Sequence, residues 1–376
     1  MAATIFTVYN KALLPIVKAV AGVVDNKSSL PVLSHLLLEV EGSILTVTGI
    51  RELEQVRSAC PCLTSSGNVK LTIPASLLSS FLTNLKADAE VTFETGKDTV
   101  TLSAGMSTMK FKTLDPKTFP VMEVNDLPVQ AVLKVKALKR ALGEASFAMA
   151  KADVRVYLNG CLFSLEGDML TVVATDTFRL VKTEAKLDAP ITSDKPQTGI
   201  VPRTSIMQLL RMLPDTEEAV VIGLNDEKAV ISWGQTEHIT SLTTGRYPDW
   251  QRVVPNEEKN PFAVTMSRAA LSAAVRHAAL LSDENHQGVQ VDFKDNLLKV
   301  TGFSDMGERS VVQVPCDWDY EAVTSGFNKK YLLDVFGALK ADNLTLSLNN
   351  KGGALLLTKA GDADDGFKAV VMPCRV

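Results

Sequence analysis

The chain contains little of what would mark it as secreted or membrane-bound. Its 376 residues include only five cysteines, an odd and scattered set, which argues against a disulfide framework and for a reducing compartment. No charge-free run of about eighteen apolar residues occurs, so no membrane-spanning helix is predicted. The N-terminal apolar stretch is interrupted by Lys11 and Lys18 and has no basic region before it, which does not fit an export signal. We therefore expect a cytoplasmic protein with no membrane association.

The sequence also lacks the short motifs of familiar catalytic and metal sites. Its four histidines form no HExxH pair, and there is neither a GxSxG segment nor a phosphate-binding glycine loop. Cys60 and Cys62 have no matching Cys or His pair nearby, as a zinc site would require. We therefore expect no metal, no cofactor and no enzymatic activity.

What the sequence does contain is one unit repeated three times. The segments "LTVTG", "LTVVA" and "LKVTG" begin at Leu45, Leu170 and Leu298, a spacing of roughly 125 residues. A second set agrees, because "IPASLLSSFLTNL", "VPRTSIMQLLRML" and "FNKKYLLDVFGAL" recur at nearly the same interval. The predicted domains are residues 1–127, 128–258 and 259–376.

Each repeat combines helices with strands. Apolar residues recur at i, i+3, i+4 and i+7 in two segments of every repeat, which indicates one buried face of an amphipathic helix. Segments such as "EVTFET", "AVVIGL" and "GVQVDF" are typical of antiparallel strands. The sequence therefore predicts an α+β fold in which each domain packs two helices on antiparallel sheets. The predicted stripes are Leu13, Ile16, Val17, Val20; Leu78, Phe81, Leu82, Leu85; Leu138, Ala141, Leu142, Ala145; Ile206, Leu209, Leu210, Leu213; Leu271, Ala274, Val275, Ala278; and Leu332, Val335, Phe336, Leu339.

The net charge of −4 conceals an uneven distribution of charge. Acidic residues gather in presumed loops, whereas basic residues recur on the helix faces opposite the apolar stripes. An ordinary solvated helix face explains any one of these rows, and this alternative stays open. A shared basic surface would instead bind phosphate backbones, with strong salt dependence and little sequence preference. The basic helix residues are Lys11, Lys18, Lys136, Lys139, Arg140, Arg211, Arg276, His277 and Lys330.

The segment "VATDTFRLV", residues 173–181, places a hydroxyl, a carboxylate and a guanidinium at the end of a predicted strand. Such a group of side chains is compatible with an active site, a turn or the rim of a binding pocket. An Asp at a strand end often fixes a turn by accepting hydrogen bonds from its own backbone. Catalysis by Asp176 with Thr175 and a distant histidine is the alternative reading, that of a hydrolase.

Several segments together resemble one family along all three repeats. "DVRVYLNGCLF", "TVVATDTFRL", "GRYPDWQRVVP", "GFNKKYLLDVFGALK" and the C-terminal "VVMPCRV" are similar to the β sliding clamp of bacterial DNA polymerase III. The resemblance implies three clamp domains per chain and a head-to-tail homodimeric ring of six domains around double-stranded DNA. It implies a processivity factor without catalytic activity, which tethers the polymerase, the clamp loader and repair proteins. A divergent clamp-like hub that binds peptides and seldom encircles DNA is the alternative function.

The resemblance also assigns candidate residues to three surfaces. The implied peptide pocket comprises Leu158, Thr175, Thr177, Phe178, Arg179, Leu180, Pro248, Arg252, Val253, Asn328, Tyr331, Val371, Met372, Pro373, Cys374, Arg375 and Val376. The implied DNA contacts are Lys27, Arg155 and Tyr157, to which the basic helix faces add Lys136, Lys139, Arg140, Arg211 and Arg276. The implied dimer interface includes Met109 and Phe111 on one side and Leu280 and Leu281 on the other. For Leu280, which falls opposite its helix's apolar stripe, a local crevice is the alternative to a partner chain.

The sequence departs from the family pattern at several pocket positions. Thr177 and Phe178 stand where Gly and a His or Tyr are usual, and Cys374 and Val376 stand where Met and Leu are usual. The pocket is therefore expected to stay apolar but to differ in shape and in partner preference. In the first repeat, "GIRELEQV" lacks the Thr-Asp of the family pattern, which puts one turn in question.

Overall fold

The structure is a computed structural model. It describes residues 4–25, 28–124, 127, 129–193, 195–256, 258–281, 287–361 and 365–376. The chain divides into two compact units, the first formed by Met1–Lys136 with Met207–Leu242 and the second by Ala137–Ile206 with Thr243–Val376. In the described residues, no helix is long and apolar enough to span a membrane.

Helices and strands are numbered in chain order. The helices are α1 (Asn10–Ala21), α2 (Ala75–Thr83), α3 (Val135–Ser146), α4 (Arg203–Met212), α5 (Arg268–Ala278) and α6 (Lys329–Ala338). The strands are β1 (Ile5–Tyr9), β2 (His35–Glu41), β3 (Ile44–Arg51), β4 (Glu54–Pro61), β5 (Thr64–Ser65), β6 (Val69–Pro74), β7 (Glu90–Thr95), β8 (Thr99–Ala104), β9 (Ser107–Lys112), β10 (Val129–Lys134), β11 (Gly160–Glu166), β12 (Met169–Thr175), β13 (Arg179–Lys186), β14 (Gln197–Pro202), β15 (Ala219–Leu224), β16 (Lys228–Trp233), β17 (Thr236–Ser241), β18 (Phe262–Ser267), β19 (Gly288–Lys294), β20 (Leu297–Phe303), β21 (Arg309–Pro315), β22 (Val323–Asn328), β23 (Asn343–Leu348), β24 (Leu355–Lys359) and β25 (Lys368–Val371).

Antiparallel sheets dominate both units. The first unit holds a five-stranded sheet, β5-β1-β7-β8-β9, and an eight-stranded sheet, β10-β15-β16-β17-β4-β3-β2-β6. The second unit holds an eight-stranded sheet, β14-β11-β12-β13-β25-β24-β23-β18, and a four-stranded sheet, β21-β20-β19-β22. With two helices in each repeat, these sheets confirm the predicted α+β class.

The apolar helix stripes are confirmed as the core. All four predicted residues of α3, of α5 and of the α6 stripe are buried, and the other stripes are mostly so. The exceptions are Ile16, Leu85 and Leu210, which are half-buried, and Leu85 lies beyond the end of α2. Helix α5 lies so close to its sheet that a Cβ on Gly302 would overlap the Ala278 carbonyl oxygen. This close approach explains why the "LKVTG" motif of the third repeat ends in glycine.

Successive repeats share continuous sheets. In the first unit, β17 of the second repeat pairs with β4 of the first, with Thr236 opposite Ser58. In the second unit, β25 of the third repeat pairs with β13 of the second, with Val370 opposite Leu180. Because each of these seams is a hydrogen-bonded ladder, the compact units do not follow the repeat boundaries. The boundaries after residues 127 and 258 stay a prediction.

Candidate functional site

The turn between β12 and β13 is held by hydrogen bonds between its own side chains and its backbone. The Thr175 hydroxyl donates to the Arg179 carbonyl oxygen at 2.7 Å and accepts the Thr177 N–H at 3.1 Å. The Asp176 carboxylate accepts the N–H groups of Phe178 and Arg179 at 3.1 and 3.0 Å. Asp176 therefore has the local role of fixing a turn. Thr177 has a φ of 75°, which is a strained conformation for a β-branched residue.

Arg179 is the centre of a buried polar cluster behind this turn. Its side chain is 8% exposed. The guanidinium donates to Asp176 Oδ2 at 3.1 Å, to Asp334 Oδ2 at 2.5 Å and to the Phe147 carbonyl oxygen at 2.8 Å. It also lies 4.6 Å from the centroid of the Tyr331 ring, within the range of a cation–π contact. These contacts offset the cost of burying the charge, so Arg179 holds its neighbours in position rather than presenting a free cation.

Asp334 and Phe147 were not among the candidate residues. Asp334 follows Tyr331 by three residues on α6, so the two share one helix face. That spacing is visible in the sequence and could have suggested Asp334. Phe147 contributes a backbone carbonyl oxygen to the cluster, and a carbonyl leaves no signal in the residue type.

An exposed aromatic pair lies in front of the cluster. The Phe178 side chain is 58% exposed and stacks on Tyr331, with ring centroids 6.1 Å apart and planes 23° from parallel. Burial is the main reason why the pKa of the Tyr331 hydroxyl is raised above its ordinary value. The neutral phenol and the Phe178 ring therefore form an apolar, partly open platform.

Apolar side chains extend this surface along β13 and β25. Leu180 is buried in a cluster with Val173, Tyr247 and Val370, and the Met372 N–H donates to the Phe178 carbonyl oxygen at 2.8 Å. Of the seventeen pocket candidates, the buried ones are Leu158, Thr175, Arg179, Leu180 and Val371. The exposed ones are Thr177, Phe178, Pro248, Arg252, Val253, Met372, Cys374, Arg375 and Val376, and the half-buried ones are Asn328, Tyr331 and Pro373.

The C-terminal segment after β25, Met372–Val376, crosses from the eight-stranded sheet to the four-stranded sheet of the second unit. Pro373 forms a β-bridge with Phe327, and the Cys374 N–H donates to the Gly326 carbonyl oxygen at 2.8 Å. Asn328, the next residue but one, caps α6 by accepting the Lys330 N–H at 2.9 Å. The C-terminal segment thereby brings candidate residues from β25, from β22 and from the start of α6 close together.

The implied DNA-contact residues of the second repeat are both engaged in contacts within the chain. Arg155 forms a two-pronged ion pair with Asp153, with N–O distances of 3.0 and 2.9 Å. Hydrogen bonds from the Arg155 side chain and backbone lower the pKa of the half-buried Asp153 carboxyl to about 2. Tyr157 is half-buried against the cluster that contains Leu180. Lys27 lies outside the described residues.

The basic helix residues also fall into two groups. Arg211 on α4 and Arg276 on α5 are exposed, as is Lys136, which pairs with Glu217 at 3.1 Å. Lys139 is half-buried. Arg140 is held in place by other residues, because its guanidinium pairs with Glu144 at 2.9 Å and with a second carboxylate at 2.6 Å. Because two carboxylates neutralise the charge of Arg140, we expect Arg140 to attract a phosphate backbone less strongly than Arg276.

Family models match the chain three times and in order. The N-terminal domain of the DNA polymerase III beta subunit matches residues 4–123, the central domain residues 132–249 and the C-terminal domain residues 251–375. Together these matches cover nearly the whole chain.

Individual relatives give the same result. A beta sliding clamp of Pseudomonas putida is 32% identical over 371 residues, covering 99% of this chain and 100% of that protein. The beta sliding clamp of Escherichia coli K12 is 32% identical over 376 residues, with the same coverage. A crystal structure of the sliding clamp (DNA polymerase III subunit beta) from Pseudomonas aeruginosa bound to griselimycin matches with a TM-score of 0.95 and 31% identity, covering 100% of both chains. The resemblance expected from the sequence is thus confirmed, and the chain belongs to the family of DNA polymerase III beta subunits, the beta sliding clamps.

Proposed function

We propose that two copies of this chain close head to tail into a ring around duplex DNA, and that the groove at Phe178 and Tyr331 holds linear peptides of replication and repair proteins. Membership of the family makes the chain a DNA sliding clamp and a non-catalytic subunit. The full-length match to beta sliding clamps does not favour the alternative of a peptide hub. The partners that we propose are a DNA polymerase III catalytic subunit, a clamp loader and other proteins with a clamp-binding segment, in the cytoplasm.

The repeated seam is the observation that carries the ring. In both seams, the last strand of one repeat pairs with a strand of the preceding repeat. That partner directly follows the strand that carries the repeated motif ("LTVTG" in β3, "LTVVA" in β12). Strand β17 therefore pairs with β4, and β25 pairs with β13. The equivalent strands left over are β9 and β21, which lie at the edges of their described sheets. Exposed edge strands offer unpaired N–H and C=O groups to another chain. A second copy that pairs its β9 with β21 would complete the third seam, and two such seams close a ring.

Side chains near these edges fit the proposal unequally. On β9, Met109 is 38% exposed, whereas Phe111 is buried in the core of the first unit and would contribute through its backbone. Beside β21, Leu280 is 72% exposed and Leu281 is half-buried. Leu280 and Met109 are therefore the candidates for direct apolar contact between copies.

Retention on DNA tests the ring. Protein loaded on circular duplex DNA should remain bound at high salt and should dissociate when the circle is cut, because enclosure does not depend on counterion release as surface binding does. Equal loss from circular and linear DNA would contradict enclosure. Strong capture of peptides with no dimer in light scattering would favour the hub.

The third seam has its own test with a matched control. Replacing Leu280 with Lys should convert the dimer to a monomer, since a charge would be buried against the partner strand. Replacing Leu53, which is 63% exposed on the first unit, with Lys should leave the dimer intact. Light scattering at matched concentrations measures both, and a dimeric Leu280→Lys protein would argue against this interface.

The peptide groove rests on the exposed Phe178–Tyr331 pair and the adjoining apolar rim. Aromatic and leucine anchors of a linear peptide bind well in such partly preformed apolar grooves. A fluorescent peptide that contains a Gln followed by Leu and Phe anchors should bind the wild-type protein saturably. No binding by the wild type would reject this part of the proposal.

A further inference from the structure

The C-terminal segment Met372–Val376 lies across the backbone of two strands that carry glycine at the crossing. Gly326 in β22 and Gly288 in β19 belong to neighbouring strands, with Gly326 opposite Gln290. A Cβ on Gly326 would overlap both the Cys374 carbonyl oxygen and Val376 Cγ2. A Cβ on Gly288 would lie 3.1 Å from Val376 Cγ2 and 3.5 Å from the Arg375 carbonyl oxygen.

Backbone freedom does not explain these glycines. Both lie inside strands, and neither is among the described residues with a positive φ. Alanine could therefore adopt the same backbone conformation without strain. What an added methyl group removes is the space in which the C-terminal segment lies.

We infer that Gly326, supported by Gly288, is a positioning residue that seats Met372–Val376 across β22 and so forms one wall of the peptide groove. The inference rests on the proposed peptide-binding function for its biological meaning. The segment is held at two points, by the Met372 N–H on the Phe178 carbonyl oxygen and by the Cys374 N–H on Gly326, both at 2.8 Å. Because one of the two obstructing atoms at Gly326 is the Cys374 backbone oxygen, a rotamer change of Val376 cannot by itself relieve the overlap.

The test compares three alanine variants of the full-length protein. Gly326→Ala should weaken binding of the fluorescent Gln-Leu-Phe peptide about tenfold, because a few well-placed groove contacts carry most of the binding energy. Gly288→Ala should weaken it about twofold, because the overlap at Gly288 is milder. Gly337→Ala is the matched control, since this glycine lies in α6 with nothing within 4 Å of the position of a Cβ. Its peptide affinity should equal that of the wild type.

A second readout reports on the segment itself. Cys374 is exposed as a residue, but partial burial of its thiol raises the pKa of that thiol. Release of the segment should therefore speed alkylation of Cys374 by iodoacetamide, measured by mass spectrometry of the C-terminal fragment. The expected order of rates is Gly326→Ala, then Gly288→Ala, then Gly337→Ala equal to the wild type.

The outcomes separate this inference from the proposed function. A Gly326→Ala protein with wild-type peptide affinity and a wild-type alkylation rate would overturn the inference, as would weaker peptide binding with no change at Cys374. Dimer content and retention on circular DNA show whether the variant is folded. If the wild type binds no peptide, the proposed groove fails, yet the alkylation order still tests whether Gly326 seats the segment.

Discussion

The first and second seams contain equivalent turns, Arg51–Glu54 between β3 and β4 and Asp176–Arg179 between β12 and β13. Both turns place their second residue at positive φ, 45° for Glu52 and 75° for Thr177. Both also end in a buried charged residue that pairs with the first residue of the turn, at 3.0 Å in one and 3.1 Å in the other. The two turns therefore share a positive φ at the second residue and an ion pair between their first and last residues.

The third residue of each turn is equally alike. Leu53 is 63% exposed and Phe178 is 58% exposed. The Leu53 carbonyl oxygen accepts the Ser241 N–H at 2.9 Å, as the Phe178 carbonyl oxygen accepts the Met372 N–H at 2.8 Å. The first turn, which lacks the Thr-Asp pair of the family pattern, therefore shares with the second turn the positive φ of its second residue and the carbonyl contact to the next repeat.

What differs is the sign of the charges and what surrounds them. In the first seam the buried residue is Glu54, and His238 Nε2 lies 2.7 Å from its carboxylate. In the second seam the buried residue is Arg179, which forms an ion pair with Asp334. Within the described residues, only the second turn contacts an aromatic ring of a following helix: Phe178 stacks on Tyr331, and the Arg179 guanidinium lies over the same ring. These surrounding groups are what distinguish the second turn, where we propose the peptide groove, from the first.

Removing the buried charge of the second seam should have the largest effect. Arg179→Ala leaves Asp176 and Asp334 unpaired and removes the support of Tyr331, so we expect a loss of about 3 kcal/mol in the free energy of unfolding together with loss of peptide binding. Urea unfolding and peptide titration measure the two effects. Arg57→Ala is the control, because the Arg57 side chain in β4 is 52% exposed and is not among the pocket candidates. Equal losses of stability and of peptide binding in the two variants would show that the buried charge of the second seam has no special role.

Neutralising the buried charge of the first seam should destabilise the protein without affecting peptide binding. Glu54→Gln should cost about 2 kcal/mol of unfolding free energy. Burial alone would raise the pKa of Glu54, but the hydrogen bond and charge of His238, with the charge of Arg51, hold that pKa below its ordinary value of 4.5.

The lowered pKa of Glu54 gives this variant a pH signature. Since the native pKa lies below the unfolded one, the stabilisation is present above pH 4.5 and is lost as the pH falls through the native pKa. The difference in urea midpoint between wild type and Glu54→Gln should therefore be larger at pH 7 than at pH 3.5. A difference that does not depend on pH would show that the charge of Glu54 contributes nothing.

The exposed third residue of each turn should separate binding from stability. Phe178→Ala should weaken binding of the fluorescent peptide about tenfold, since it removes an aromatic anchor surface. It should change the unfolding free energy by less than about 0.5 kcal/mol. Leu53→Ala is its structural counterpart and should leave peptide affinity unchanged. Equal peptide affinity in both variants would place the groove elsewhere.

The strained second residue should give the smallest effect. Thr177→Gly relieves a positive φ at a β-branched residue and should stabilise the protein by about 1 kcal/mol. Glu52→Gly should gain less, because an unbranched side chain tolerates this conformation better. Thermal unfolding of both variants measures the difference, and destabilisation by Thr177→Gly would mean that the Thr177 side chain makes a contribution larger than its strain.

The fold was largely predictable because its signals are periodic. The stripe Leu138, Ala141, Leu142 and Ala145 is buried as predicted, since a helix face that packs on a core must repeat every three to four residues. The turn role of Asp176 was predictable for a similar reason, because its hydrogen bonds are local. The roles of Arg140 and Arg179 were not, since each depends on carboxylates far along the chain, Asp365 and Asp334.

Residue order alone establishes that three similar α+β repeats succeed one another, that one strand end carries a turn built by Asp176, and that the chain resembles sliding clamps. These features follow from local spacing and from recurrence, which need no knowledge of distant neighbours. Contacts between distant segments add two features: the repeats are joined through β4 with β17 and through β13 with β25, and Gly326 leaves room for the C-terminal segment. Those features depend on which backbones meet in space, and the residue types at either side of a hydrogen-bonded ladder do not reveal their partner.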